Sequence, residues 1–229
     1  MLPSLEVLLS DGVASAKRTK AIEEHVARLQ DRHIAERFAR GMELLGDDKP
    51  EVRWGGIFAL ERIARISAQD QGTVAEILAA YVRRHAPWKP NATEEESEQA
   101  HIESEIQLIL TILGRRKWSF KNEDRPLDLH GTNLAKAHLP FAKLEYVFLY
   151  DCNLEGALLF RTSLQGAWMA RCRLRNANLD GVQLQGADLS DVTGLTPEQL
   201  RHVSFDEKTI FPPAIAPAMR ARIKRRSHF

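Results

Sequence analysis

In the stretch Leu174-Arg-Asn-Ala-Asn-Leu179-Asp-Gly-Val-Gln-Leu184-Gln-Gly-Ala-Asp-Leu189-Ser-Asp191, a leucine stands at every fifth position. The spacing extends back to Leu129 without a break, and the residue two places before each apolar position is small or β-branched, except Leu127. The apolar positions of this repeat are Leu129, Leu134, Leu139, Leu144, Leu149, Leu154, Leu159, Leu164, Met169, Leu174, Leu179, Leu184 and Leu189.

Neither an α-helix nor a straight strand can bury both sets of residues. On a helix, five residues rotate the side chain by about 140° beyond a full turn, so the leucines would spiral around the surface. On a strand, an odd step places successive leucines on opposite faces. A chain that turns a corner within each repeat presents every leucine to a common axis. The pattern therefore predicts a narrow β-solenoid whose core is the leucine set.

This stretch resembles the pentapeptide-repeat family, whose motif is Ala-(Asp/Asn)-Leu-x-x. Ala177-Asn178-Leu179-Asp180-Gly181 and Ala187-Asp188-Leu189-Ser190-Asp191 match it as they stand. The resemblance implies a right-handed quadrilateral β-helix with four pentapeptides, or 20 residues, in each coil. If so, residues 20 apart stack at about 4.8 Å. The outward pairs expected from this stacking are Asp151/Arg171/Asp191, Glu155/Arg175, Gln165/Gln185 and Phe148/Trp168.

The first half of the chain has apolar residues at helical spacing. It predicts helices over about 31–45, 51–67, 73–85 and 94–114, and the pair Gly55-Gly56 suggests close approach by a neighbour. The stretches 52–64 and 109–116 resemble the HEAT-like helical module that precedes the repeats in many bacterial pentapeptide-repeat proteins. The fold class expected is thus multidomain α+β. Its parts are a helical module at 1–118 with a lead segment at 1–30, a linker at 119–126, the β-helix at 127–193, and a capping helix with a basic tail at 194–229.

Each open end of a β-solenoid is a row of unpaired backbone groups that needs a cover. We expect the helix ending near Gly114 to cover the first end. At the second end, Thr196 and Pro197 have the residue types of an N-cap and a first helical position. They predict a short helix to about Val203, with apolar contacts from Leu195, Leu200 and Phe205.

The absence of catalytic motifs argues against enzyme activity. The sequence has no His-Glu-x-x-His, no phosphate-binding glycine loop and no Gly-x-Ser-x-Gly. We therefore expect no enzyme activity, no cofactor and no metal site. The formal net charge of +1 argues separately against electrostatic capture or imitation of nucleic acid. Cys152 and Cys172 fall in one inward column, where reduced thiols are expected and a disulfide or a metal is the alternative. No signal peptide and no apolar run of about 18 residues is present, so a cytoplasmic protein is expected.

Binding is the function that remains. Phe148, Tyr150 and Trp168 should share one face of the solenoid, with Leu158 and Phe160 on another. They predict a surface for an unidentified protein partner or for a homodimer, unless the helical half covers them.

Two further functions are alternatives. A basic tail could bind nucleic acid or an anionic surface, and the resemblance implies a DNA-mimic that protects gyrase. The repeats hold six Lys/Arg and seven Asp/Glu over little more than three coils, which is short and neutral for such a mimic. The tail residues are Arg220, Arg222, Lys224, Arg225 and Arg226.

Overall fold

The structure is a computed structural model that describes residues 32–89, 93–115 and 126–226, together with Lys20, Glu23 and His25. The chain divides into two compact units, Met1–Ile63 and Ala64–Phe229. The predicted bounds 1–118, 119–126, 127–193 and 194–229, and the HEAT-like assignment, remain predictions. The lead segment 1–30 and most of the linker lie outside the described residues.

The first unit contains helix α1, described over residues 32–45, and most of helix α2, Pro50–Ile66. Ile57, Leu60 and Ile63 are fully buried along one side of α2. A Cβ built on Gly56 would lie 2.6 Å from Leu45 N and 2.8 Å from Gly41 O. The close approach that the glycine pair suggests is therefore made by Gly56 against the backbone of α1.

In the second unit, helix α3 (Gln71–His85) packs on helix α5 (Ser104–Gly114). The predicted single helix over 94–114 is wrong, because α4 covers only Glu94–Gln99 and residues 100–103 are not helical. At this break, His101 O accepts a hydrogen bond from Asn133 Nδ2 at 3.3 Å. The break thus lets the chain follow the first repeats instead of continuing as a helix.

Parallel bridges join residues that are 20 apart, except in the last two bridges, Gln183–Ser204 and Asp188–Ile210, where the separations are 21 and 22. The bridges form four ladders that are offset from one another by five residues. Phe148 N donates to Leu127 O at 2.9 Å and Phe148 O accepts from Leu129 N at 2.9 Å, a pattern that later coils repeat. All thirteen apolar positions of the repeat are buried. Ladder 1 contains Asp128, Phe148, Trp168, Asp188 and Ile210; ladder 2 Asn133, Asn153, Arg173 and Thr193; ladder 3 His138, Leu158 and Asn178; ladder 4 Lys143, Ser163, Gln183 and Ser204.

Each bridge is isolated, so residues 126–226 contain no β-strand of consecutive paired residues. The right-handed quadrilateral β-helix therefore remains a prediction. The corners are defined by the backbone: every fifth residue from Gly131 to Asp191 has a positive φ, between 53° and 70°. Residues with side chains as bulky as those of Phe141 and Tyr146 adopt this left-handed backbone conformation, which costs a non-glycine residue roughly 1–2 kcal/mol. The buried leucines and the ladder hydrogen bonds must offset that cost.

Helix α5 covers the first end of the repeats, as predicted. Gln107 Nε2 donates to His138 O at 2.8 Å, and Gln107 Oε1 accepts from His138 N at 2.8 Å. At the end of the helix, Gly114 O accepts from Lys143 N at 2.7 Å. Ladders 3 and 4 therefore receive at their first residue the hydrogen bonds that a preceding coil would supply.

The end of α3 and the loop after it supply partners to ladders 1 and 2. Ala86 O accepts from Asn133 N at 2.7 Å. Arg83 Nη1 donates to Asp128 O and lies 3.3 Å from the Asp128 carboxylate. The first coil therefore has a partner from the helical segment on all four ladders.

The second end is closed differently from the prediction. Residues 197–202 form turns, and the predicted helix over 196–203 is wrong even though Thr196 and Gln199 exchange the two hydrogen bonds of a capping box. Gln199 Nε2 instead donates to Leu174 O at 2.8 Å and to Ala177 O at 2.9 Å. A later helix, α6, covers Ala216–Arg226. The buried apolar residues of this end are Leu200, Val203, Phe205, Phe211, Ile215 and Met219.

Candidate functional site

Ladder 1 and the turn that follows it bring together three of the aromatic residues singled out in the sequence, Phe148 and Trp168 on the ladder and Tyr150 in the turn. The rings of Phe148 and Trp168 lie 4.9 Å apart at 40°, and those of Phe148 and Tyr150 lie 6.4 Å apart. Trp168 N donates to Val147 O at 2.9 Å, and Leu149 N donates to Trp168 O at 2.8 Å. Because the backbone of these residues is hydrogen-bonded to the coil before or after it, the segments that carry the aromatic rings are fixed in position.

These aromatic residues are open to solvent to different degrees. Trp168 is 57% exposed, whereas Phe148 and Tyr150 are half-buried. Helices α3, α4, α5 and α6, which belong to the same unit as the repeats, therefore do not cover Trp168. Ile210 continues ladder 1 beyond Asp188 and is 52% exposed. Sequence reasoning missed Ile210, because the five-residue register ends near Val192 and no spacing signal connects it to the ladder.

Leu158 and Phe160 do not join this surface. Leu158 is 42% exposed on ladder 3. Phe160 is half-buried, with Phe141 at 5.4 Å in an edge-to-face arrangement and the Arg161 guanidinium 5.1 Å from its ring. Phe141, which the sequence analysis did not single out, is a corner residue of positive φ. The repeats therefore carry two separate apolar surfaces, of which ladder 1 is the aromatic one.

Two charge pairs lie at the turns on either side of ladder 2, the ladder next to the aromatic one. Arg171 donates to both carboxylate oxygens of Asp151, at 2.7 and 2.6 Å, and this contact raises the pKa of Arg171 above its ordinary value. Arg175 lies 3.6 Å from Glu155. These two expected pairs form, but Gln165 donates to Gln183 at 2.6 Å instead of pairing with Gln185.

A shallow groove of about 790 Å³ lies along ladder 2. Its charged lining is balanced, because three arginines face three carboxylates, and the Arg173 guanidinium lies 5.4 Å from the Trp88 ring. Because these opposite charges neutralise one another, the groove has little preference for binding an anion or a cation. The lining residues are Asp151, Glu155, Arg171, Arg173, Arg175, Asp191, Thr193 and Gly194.

The two cysteines are free and buried in one column with Thr132. Cys152 Sγ donates to Leu129 O at 3.0 Å and Cys172 Sγ donates to Leu149 O at 2.7 Å. Burial raises the pKa of the Cys172 thiol well above its ordinary value, and the neighbouring Cys152 adds to the effect. Both thiols are fully buried and therefore act as small core groups. Among residues 32–89, 93–115 and 126–226, no three His, Cys, Asp or Glu residues are placed to bind a metal ion.

The basic tail is only partly available for binding. Arg222 donates to Leu200 O at 2.6 Å and to Arg201 O at 3.0 Å, and its guanidinium lies 4.9 Å from the Phe205 ring. Arg220 is exposed. Arg222 thus belongs to the closure of the second end, while the side chains of Lys224, Arg225 and Arg226 lie outside the described part of the chain.

None of the helices in the described part of the chain is long and apolar enough to cross a bilayer. No curated protein matches this chain. Among solved structures, it is similar to a pentapeptide repeat protein from the cyanobacterium Cyanothece, with 27% identity, TM-score 0.33, and coverage of 39% of this chain and 67% of that one.

Two further solved structures are similar over shorter shares of their length. A pentapeptide repeat protein from the Arabidopsis thaliana thylakoid lumen has 23% identity and TM-score 0.22, covering 36% of this chain and 56% of that one. QnrB1, a plasmid-mediated fluoroquinolone resistance protein, has 17% identity and TM-score 0.35, covering 43% and 46%. This chain thus spans about half the length of these two proteins.

The family model of pentapeptide repeats matches residues 128–159 and 157–193, in eight copies. The matched residues are the ones whose leucines fill the core and whose outward residues form the four ladders. The repeat segment of this chain, residues 128–193, therefore belongs to the pentapeptide-repeat family.

Proposed function

We propose that this chain is a non-enzymatic interaction protein that presents ladder 1 of its repeats to a protein partner. The observation that carries the proposal is the exposed Trp168, packed on the half-buried Phe148, on a backbone that is hydrogen-bonded to the neighbouring coils. Large aromatic side chains that are rigid before binding lose little conformational entropy on association, and tryptophan and tyrosine are enriched among the residues that dominate interface energies.

The proposal takes the repeats as a short right-handed quadrilateral β-helix in a cytoplasmic protein. The four ladders with a period of 20 residues support the quadrilateral shape. Two free, buried thiols are compatible with a reducing compartment. The absence of activity and of a cofactor is part of the proposal and rests on the missing catalytic motifs.

Neither alternative function gains support from the described residues. The repeats remain nearly neutral, with six basic and seven acidic residues, which does not favour imitation of a DNA duplex. Arg222 of the tail is bound to backbone carbonyls at the second end of the repeats, so fewer basic side chains of the tail can contact a nucleic acid or an anionic surface.

The test is affinity capture from a lysate of the source organism with three matched baits. The double variant Phe148→Ala/Trp168→Ala removes the aromatic pair, and Leu158→Ala removes an exposed apolar side chain from ladder 3 as a control. We expect the wild type and the control to capture the same proteins and the double variant to lose them. Capture that is equal with all three baits, at equal thermal stability, would rule out ladder 1 as the binding surface.

A further inference from the structure

The charges of the repeats are distributed unevenly around the solenoid. The ladder 1 face, defined as residues 128–131, 145–151, 165–171 and 185–191, contains five of the seven acidic residues of the repeats and one of the six basic residues. The chain as a whole carries a formal +1. The face that exposes the aromatic pair is therefore acidic, although the protein is not.

Some of these acids are already paired within the molecule. Asp128 lies 3.3 Å from Arg83 and 2.6 Å from His130, and Asp151 holds Arg171. Asp188 and Glu145, in contrast, have no cation within ion-pair distance among the described residues. Among these residues, the Asp188 carboxylate accepts a hydrogen bond only from the backbone N–H of Ser190, at 2.8 Å. A carboxylate without an internal cation thus stands one ladder step from Trp168.

The spacing along ladder 1 limits what can bind there. Neighbouring ladder residues are about 4.8 Å apart. If a partner segment packs an apolar side chain on Phe148 and Trp168, the next side chain of that segment along the ladder lies close to Asp188. In an extended segment, residues two apart lie on the same side about 6.6–6.8 Å from each other, within reach of a long basic side chain. A cation in this position also meets the electron-rich face of Trp168.

A second copy of the chain fits this face poorly. Two copies related by a two-fold axis would set the same surface against itself. The carboxylates of Asp188 and Glu145, which no cation of the described residues neutralises, would then face a second acidic surface, and like charges brought together at an interface cost affinity. Charge complementarity therefore favours a different, basic partner.

We infer that ladder 1 recognises a basic segment of a partner protein, in which an apolar side chain packs on Phe148 and Trp168 and a lysine or arginine next to it pairs with Asp188. This inference rests on the proposed function, since it specifies the chemistry of the partner for the same surface.

Two labelled peptides that differ only in charge test it: Lys-Ser-Leu-Ser-Leu-Ser-Lys and Glu-Ser-Leu-Ser-Leu-Ser-Glu. Binding to the full chain is followed by fluorescence anisotropy at low and at high salt. We expect the basic peptide to bind at least about tenfold more tightly than the acidic one at low salt, and the difference to shrink at high salt. Trp168→Ala should weaken the basic peptide about tenfold or more. Asp188→Asn should weaken it about two- to fivefold, and the control Glu198→Gln should have no effect.

Equal affinity for the two peptides, no binding of either, or binding unchanged by Trp168→Ala would overturn the inference. Concentration-dependent dimers of the wild type that Trp168→Ala abolishes would overturn it in favour of a second copy. The two proposals fail separately. Capture from lysate that needs Phe148 and Trp168, while neither peptide binds, leaves the proposed function standing and removes the basic partner.

Discussion

The side-chain amide of Gln107 forms both hydrogen bonds that the backbone of His138 would otherwise exchange with a preceding coil, each at 2.8 Å. A primary amide has one donor and one acceptor side, so it can replace a peptide group at the edge of a ladder. One side chain on α5 thereby ends ladder 3 and fixes the register of the helix against the first coil.

Replacing Gln107 by leucine should destabilise the protein. The change leaves the N–H and the C=O of His138 without a protein partner, and water can satisfy them only in part. We expect a loss of about 1–2 kcal/mol in the free energy of unfolding, measured by urea denaturation. Gln99→Leu, on the exposed side of α4, serves as the control and should change stability by less than about 0.5 kcal/mol. Equal effects of the two substitutions would show that the amide does not act as a cap.

Gly55 and Gly56 should respond in opposite directions to the same substitution. A Cβ on Gly55 meets nothing within 4 Å, whereas a Cβ on Gly56 meets Leu45 N at 2.6 Å. Gly55→Ala should therefore stabilise α2 by about 0.5–1 kcal/mol through helix propensity. Gly56→Ala should destabilise the protein by about 1–3 kcal/mol, because the backbone of α1 has to move. Urea denaturation followed by circular dichroism checks both, and a shift of the same sign in the two variants would contradict the packing of α1 on α2.

The period of five residues was sufficient to predict the core of the repeats, because inward leucines at a fixed spacing allow few backbone paths. It also placed Phe148 and Trp168 in one column, since residues one coil apart must stack. The left-handed corners were not predictable residue by residue. Only five of the thirteen corner residues are glycines, and Phe141 or Tyr146 gives no local sign of a positive φ.

The closures of the solenoid were only partly predictable, since they are tertiary contacts. The helical spacing of apolar residues predicts a helix around Gln107, but it does not show that the Gln107 side chain and the Ala86 carbonyl bind the backbone of the first coil. Thr196 and Pro197 have the residue types of a helix start, yet Gln199 caps two carbonyls of the repeats and the chain turns instead. Ile210 joins ladder 1 by the same kind of long-range pairing.

Cys152 and Cys172 should be inert to alkylation in the folded protein. Both thiols are fully buried, so the reagent cannot reach them in the folded chain. Burial also raises the pKa of Cys172 well above its ordinary value, which disfavours the reactive thiolate. We expect neither cysteine to be modified by iodoacetamide at pH 8 in buffer and both to be modified in urea, as measured by mass spectrometry of the intact chain. Modification of Cys172 in buffer at the rate of an exposed cysteine would contradict its place in the core.

Asp206 should contribute to a loss of stability in acid. Burial alone would raise its pKa, but hydrogen bonds from Gly186 N at 2.9 Å, Thr209 Oγ1 at 3.0 Å and Lys208 N at 3.1 Å lower it below the ordinary value. The unfolded chain therefore binds the proton more tightly than the folded one, and protonation favours unfolding. The contribution of Asp206 is complete above the pKa of an unfolded aspartate, about 3.9, and is lost as the pH falls through the lower pKa of the folded state.

Asp206→Asn keeps an acceptor oxygen but removes the charge, so its free energy of unfolding should fall less steeply below about pH 4 than that of the wild type. Thr209→Val removes one donor without removing a carboxyl group, and it should move the pKa of Asp206 upwards towards its ordinary value. The measurements are urea denaturation across the acid range and an NMR titration of the Asp206 carboxyl carbon. An identical acid dependence of the wild type and Asp206→Asn, or a titration of Asp206 above its ordinary pKa, would show that burial outweighs the three hydrogen bonds at this end of the repeats.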